Sequence, residues 1–286
     1  MFYDLNIPLP EAAGKAGGHV NSQEWAHIAQ TVEQARVLGY SVVALNLTVQ
    51  GKLAPEHLSV WNTTPEFKDA QLSWDRATGA RVGGATRSVG RGKIRVLRRL
   101  TAVIGDAAQG HSLASVDGAY DIVAVQPTND AMLLAACNGT WDAVDIVALD
   151  MGQRWNFVAK QKVVTQALAL GVSLEIMYQP ALAGEKTRQQ WVSNAAAVVR
   201  ATRGRSVIWT SAARRALDLR APYDIANLGE VLQLNGDLSK RALAANARAA
   251  LMHAFTRSIT LRAVIAPKHS AASEPEGLAK KARMAS

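Results

Sequence analysis

A closed barrel of alternating strands and helices is the fold this 286-residue sequence predicts, and three observations predict it. Seven short apolar, β-branched segments recur at 2–6, 41–49, 94–104, 121–126, 144–150, 172–178 and 206–211, with helical apolar patterns between them. Runs such as Val42-Val43-Ala44-Leu45 are apolar without alternation, which suits strands covered on both faces in a parallel sheet. Repeated βα units either close into a barrel or form an open doubly wound sheet. No glycine-rich phosphate loop follows the first segment, as an open nucleotide-binding sheet would usually show, so the barrel is preferred.

Taken in order, the first strand, 2–6, is followed by a helix with Asn21 as N-cap and Glu24 three residues on. Trp25, Ile28, Val32 and Ala35 form its apolar face, and Gly39 stands past its end. After the second strand, residues 50–92 break the alternation with Pro, Gly, Asn and Thr and read as a long inserted loop, partly ordered by Trp61, Phe67 and Trp74. Later helices carry Val163, Val164, Ala167 and Leu168 before Gly171, and Trp191, Ala195, Val198 and Val199 before Gly204. One barrel domain over 1–260 is expected, with 261–286 a disordered tail because it is small, polar and charged.

Composition bounds the function. Thirty-two Lys and Arg against 23 Asp and Glu give a net charge of +9, which favours polyanionic partners. No apolar run approaches the roughly 18 residues that span a bilayer, and the chain opens directly into a strand, so a soluble, unsecreted protein is expected. Cys137, the single cysteine, excludes an internal disulfide and a multi-cysteine zinc site and reads as a small buried helix residue.

Two stretches hold basic charge almost without acid. One runs from 76 to 99 with Arg76, Arg81, Arg87, Arg91, Lys93, Arg95, Arg98 and Arg99 and no carboxylate. The other runs from 186 to 220 with Lys186, Arg188, Arg200, Arg203, Arg205, Arg214, Arg215 and Arg220 against Asp218 alone. Arginine's planar fork binds phosphate bidentately and stacks on bases. The enzymatic motifs are missing. Gly90-Arg91-Gly92-Lys93 completes neither a dinucleotide fingerprint nor a Walker loop, the six histidines show no paired metal spacing, and no Gly-x-Ser-x-Gly elbow occurs. No cofactor and no metal are expected. Asp4, Asp150 and Glu175 do sit at or near strand ends, where barrel active sites gather, and could together hold magnesium. Most tryptophans fall in core patterns; Trp155, just after a strand, is free to stack on something else.

The residues also carry a likeness. Phe2-Tyr3-Asp4-Leu5-Asn6, the run from Leu38 to Asn46, Arg98-Arg99-Leu100-Thr101, the segments 120–125 and 144–150, Gly171 to Ile176, Arg203-Gly204-Arg205 and Arg220 to Leu228 occur in one order. Together they resemble the roughly 30-kDa protein subunit of ribonuclease P and RNase MRP over residues 2–235. The resemblance implies a distorted TIM-type barrel related to the PHP phosphoesterases. It also implies a non-catalytic, RNA-binding role in a nuclear, nucleolar particle whose RNA cuts precursor tRNA at its 5′ end or processes rRNA. Implied partners are ribonuclease P or MRP RNA, a small α/β subunit and other proteins of the particle, with no membrane. PHP enzymes open with a His-x-His metal pair, where this chain has Asp4-Leu5-Asn6, so lost catalysis follows from the resemblance. Ala212 stands where the family commonly has glycine. The residues expected to face RNA are Arg91, Lys93, Arg98, Arg99, Arg188, Arg203, Arg205, Arg214, Arg215 and Arg220; the alternative is a metal-dependent phosphoesterase using Asp4, Asp150 and Glu175.

Overall fold

The computed structural model describes residues 1–15, 18–51, 53–54, 57, 60–63, 70–72, 94–116, 119–261 and 264–265. Its centre is a parallel sheet of strands β1 (Phe2–Pro8), β2 (Tyr40–Gln50), β4 (Ile94–Ile104), β5 (Ile122–Pro127), β6 (Ile146–Ala148), β7 (Ser173–Met177) and β8 (Val207–Thr210), adjacent in that order. The short strand β3 (Ala70–Leu72) pairs with Ile94–Val96 of β4, ahead of the point where β5 takes over at Arg99. Thus the insertion expected to be a loop returns one strand to the sheet, and it holds a 3-10 turn at Val60–Thr63 as well. Buried Trp61 of that turn packs edge-on against Tyr120 at 5.9 Å. Phe67, Trp74, Arg91 and Lys93 lie outside the described residues, as does 266–286. Strands β9 (Thr260–Leu261) and β10 (Val264–Ile265) pair antiparallel where the tail was expected to begin.

Helices cover the sheet: α1 (Ser22–Val37), α2 (Ala107–His111), α3 (Asp130–Cys137), α4 (Gln161–Ala169), α5 (Gln179–Leu182), α6 (Glu185–Thr202), α7 (Pro222–Val231), α8 (Gly236–Leu243) and α9 (Ala245–Ile259). The first helix forms for the reasons its sequence gives. Asn21 Oδ1 accepts from the Glu24 amide at 2.8 Å, Glu24 Oε2 accepts from the Asn21 amide at 2.8 Å, and Trp25, Ile28, Val32 and Ala35 are buried.

No strand ladder joins β8 to β1; side chains and loop amides close the barrel instead. The Ser211 amide donates to Asp4 Oδ1 at 2.9 Å, the Ala212 amide to the Asn6 carbonyl at 3.0 Å, and Ser211 Oγ to the same carbonyl at 3.2 Å. To make the last turn Ala212 takes a left-handed φ of 51°, which is the conformation glycine would adopt without strain. The amino-terminal half of the interior is apolar, with Leu5, Ala44, Leu97, Ala124 and Ile208 packed against Ala247, Ala250 and Leu251 of α9. A buried carboxylate fastens this plug: Asp145 accepts from Arg257 at 3.0 Å and lies 2.9 Å from His253 Nδ1.

Candidate functional site

Above the apolar half, toward the carboxyl ends of the strands, the interior turns polar. Strands β4 and β7 place Arg99 and Glu175 opposite each other, both fully enclosed. Two parallel bonds join them, at 2.7 Å to Oε1 and 2.6 Å to Oε2, the bidentate geometry a guanidinium makes with a carboxylate. Thr210 Oγ1 donates to Glu175 Oε1 at 2.7 Å and Asn6 Nδ2 donates to it at 3.1 Å. Arg99 also donates to the Leu5 carbonyl and to Thr101 Oγ1, while Asn46 ties Thr101 to Asn6 through two 2.8 Å bonds. The network is closed on itself at the level where barrel enzymes place their chemistry.

The expectation that Arg99 faces RNA is therefore corrected. It is on the inward face of β4, without solvent access, and its charge is matched by a carboxylate 76 residues away. The metal-site alternative fails on the same geometry. Glu175 is saturated by donors, and Asp150 Oδ1 accepts from the Gly152 amide. Among the described residues no group of three or more His, Cys, Asp or Glu is placed to hold a metal ion. Asp4 lies in the seam between β1 and β8, and its Oδ2 has no hydrogen-bond partner among the described residues. Burial pushes its carboxyl up to about 6, offset in part by bonds from Ser211 and Asn6. Burial likewise raises the Cys137 thiol to about 12, as befits an inert helix residue.

The remaining arginines divide between the two ends of the barrel, because all strands run the same way. Arg188, Arg214, Arg215 and Arg220 follow the carboxyl ends of β7 and β8; Arg203 and Arg205 sit between α6 and the amino end of β8. Several are engaged. Arg188 donates to the carbonyls of Ala181 and Ala183, Arg214 pairs with Glu11 at 2.7 Å, and Arg215 pairs with Asp218 at 3.0 Å. Arg220 donates to the carbonyls of Leu217 and Leu219, and its own peptide is gripped by two buried tyrosines, Tyr40 Oη donating to its carbonyl and Tyr178 Oη accepting from its amide. Both phenols are raised far above the ordinary tyrosine range, chiefly by burial, and stay neutral. On β4, Arg98 is half-buried beside Asp121 at 3.7 Å. Arg203 and Arg205 are exposed and border an open groove of about 490 Å³ between α4 and α6. Arg203 ends α6 in a left-handed conformation, where a cation also complements the helix dipole.

Sequence reasoning missed the loop after β6. Trp155, which was free to stack on a partner, lies flat against Phe157 with ring centroids 5.5 Å apart. Asn194 of α6, buried and unremarked in the sequence, donates from Nδ2 to the carbonyls of Asp150, Met151 and Gln153 at 3.3, 3.1 and 2.8 Å. Nothing local marks an asparagine as a loop anchor 44 residues downstream.

Comparison with known proteins adds to this geometry. Residues 1–258 match the sequence model of a family described as RNase P subunit p30. The chain is 29% identical to the Schizosaccharomyces pombe protein named probable ribonuclease P protein subunit 3, over 93% of this chain and 98% of that one. It is 32% identical to the mouse ribonuclease P protein subunit p30, over 86% and 87%, and 28% identical to the Saccharomyces cerevisiae ribonuclease P/MRP protein subunit RPP1, over 90% and 82%. Among solved structures, a chain from the cryo-EM structure of archaeal ribonuclease P with mature tRNA superposes with a TM-score of 0.56 at 12% identity, over 91% of this chain and 93% of that one. That likeness is one of fold.

Proposed function

Since this chain belongs to the RNase P subunit p30 family, we propose that it is a non-catalytic, RNA-binding protein subunit of ribonuclease P, RNase MRP or both, supporting tRNA and rRNA processing by the RNA component. The observation that carries the non-catalytic part is the Arg99–Glu175 pair. A guanidinium fills the barrel interior toward the carboxyl ends of the strands, on the side where a metal-dependent enzyme of this architecture needs an open carboxylate. Displacing it would strand a buried charge at a cost of several kcal/mol, so the arrangement resists conversion into a metal site.

The RNA-binding part draws on the family and on the net charge of +9. Of the residues expected to face RNA, the exposed or half-buried ones stay in the proposal: Arg98, Arg188, Arg203, Arg205, Arg214, Arg215 and Arg220, together with Arg91 and Lys93. In this reading other proteins of the particle, among them a small α/β subunit, cover part of the remaining surface, and the assembly works in the nucleus and nucleolus. Purifying the tagged chain from its native cell and sequencing the RNA that accompanies it tests the proposal. Ribonuclease P or MRP RNA is the expected result; recovery without either, or hydrolysis of a phosphodiester by the pure protein with magnesium or manganese, would refute it.

A further inference from the structure

The loop over residues 150–158 is held far more tightly than its lack of regular structure would suggest. One buried amide, Asn194 Nδ2, collects three of its carbonyls, and Gln190 Nε2 donates to Asn194 Oδ1 at 2.9 Å, so the anchor is itself fixed. Asp150 Oδ1 takes the Gly152 amide at 2.9 Å, Trp155 Nε1 donates to the Asp150 carbonyl, and the Trp155 ring rests on Phe157. The loop runs close beside α5 and α6: a Cβ at Gly152 would stand 3.3 Å from Thr187 Cγ2 and in ordinary contact with Pro180 at 3.6 Å. Anchors of this kind hold the loop backbone while its tips stay outward: Gln153, Arg154, Asn156 and Val158 are all exposed.

Around those tips the charge is basic. Lys160 and Lys162 open α4, Lys186 stands in the first turn of α6, and all three are exposed. Among the described residues no ion pair involves Arg154 or any of these lysines. Along the chain between 150 and 186 the carboxylates are Asp150, already engaged with the Gly152 amide, Glu175, enclosed with Arg99, and Glu185. Nor do the two α4 lysines serve their own helix. Its first turn contains no acid, and a cation at that end opposes the helix dipole. Cations without carboxylate partners beside a partly exposed aromatic suit a polyanion better than an apolar protein face.

We propose that the Asn194-anchored loop, with Arg154, Lys160, Lys162 and Lys186 around it at the carboxyl end of β6 and β7, is the surface that receives the phosphate backbone of a structured RNA. The inference rests on the RNA-binding reading and centres its contact on this loop; Gln161, between Lys160 and Lys162, also lines the groove that Arg203 and Arg205 border. It assigns Asn194 a positioning role, since it touches no RNA itself.

The test measures binding of a labelled in vitro transcript of ribonuclease P RNA to the full chain across a salt series. Replacing Arg154, Lys160 and Lys162 together by alanine should weaken binding at least about tenfold and flatten the log affinity against log salt slope by about 2 to 3, at roughly 0.7 to 0.9 for each phosphate no longer neutralised. Asn194→Ala keeps every charge, so affinity should fall while the slope holds. All three charged side chains are exposed, so the triple variant tests the site even where Asn194→Ala fails to fold. An unchanged slope in the triple variant overturns the inference, the more directly if Arg203→Ala with Arg205→Ala flattens it instead; RNA binding as such then stands. Absence of salt-dependent binding in the unaltered protein would remove the RNA-binding reading and this site together.

Discussion

Two arginines of this barrel, Arg99 inside and Arg214 on the rim, make nearly the same bond and live in opposite physical worlds. Arg99 lies 2.6 Å from Glu175 with both side chains fully enclosed, whereas Arg214 lies 2.7 Å from Glu11 with 69% and 75% of the two side chains exposed. Inside, water cannot replace a missing partner; outside, it does so at once. Distance alone therefore says little about what an ion pair does, and burial decides whether it is architecture or surface.

The sharpest way to break this comparison is Arg99→Met. It leaves Glu175 as an unpaired buried carboxylate and should cost about 3–5 kcal/mol of folding stability in denaturant titrations. Adding Glu175→Leu removes the stranded charge, and most of that loss should return, since an apolar pair of similar volume is often neutral relative to a buried ion pair. A single variant of normal stability would show that the interior is wetter than its geometry indicates.

The comparison also explains what the sequence could and could not disclose. The strands were legible because each is an apolar run, and α1 because Asn21 and Glu24 frame it. The counter-charges of Arg99 and Arg214 were invisible because they are not neighbours along the chain: folding brings Glu175 to Arg99 across 76 positions and Glu11 to Arg214 across 203. Local windows cannot see such partners. The anchor Asn194 and the returning strand β3 escaped notice for the same reason: each is defined by what it meets after the chain has closed.

A second, smaller effect concerns Asp4, which closes the seam beside the Arg99 network. Its carboxyl is raised from an ordinary 3.8 to about 6, chiefly by burial. A raised carboxyl contributes stability that is full below about pH 4 and is lost as pH rises through 6, on the order of 2–3 kcal/mol in total. Asp4→Asn cannot ionise, so its stability measured from pH 4 to 8 should lack that decline; profiles running parallel to the unaltered protein would refute the assignment. Smaller again is Ala212, whose φ of 51° at the same seam carries the strain of a side chain in the left-handed region. Ala212→Gly should raise stability by about 0.5–1 kcal/mol, read as a higher thermal midpoint.

The smallest expected effect sharpens the comparison most. A double-mutant cycle on Arg214 and Glu11 should return a coupling below about 0.5 kcal/mol, because both side chains are solvated in the folded and unfolded chain alike. A larger coupling would mean that the first loop and the loop after β8 are locked to each other, and Arg214 would then belong with Arg99 as architecture. With a coupling near zero, Arg214 has no structural duty to lose. Its replacement by alanine then becomes a clean probe of the rim: a change in RNA affinity could be read as the removal of a phosphate partner, with no correction for damage to the fold. The interior pair can never offer that separation, because there the charge and the fold depend on the same two side chains.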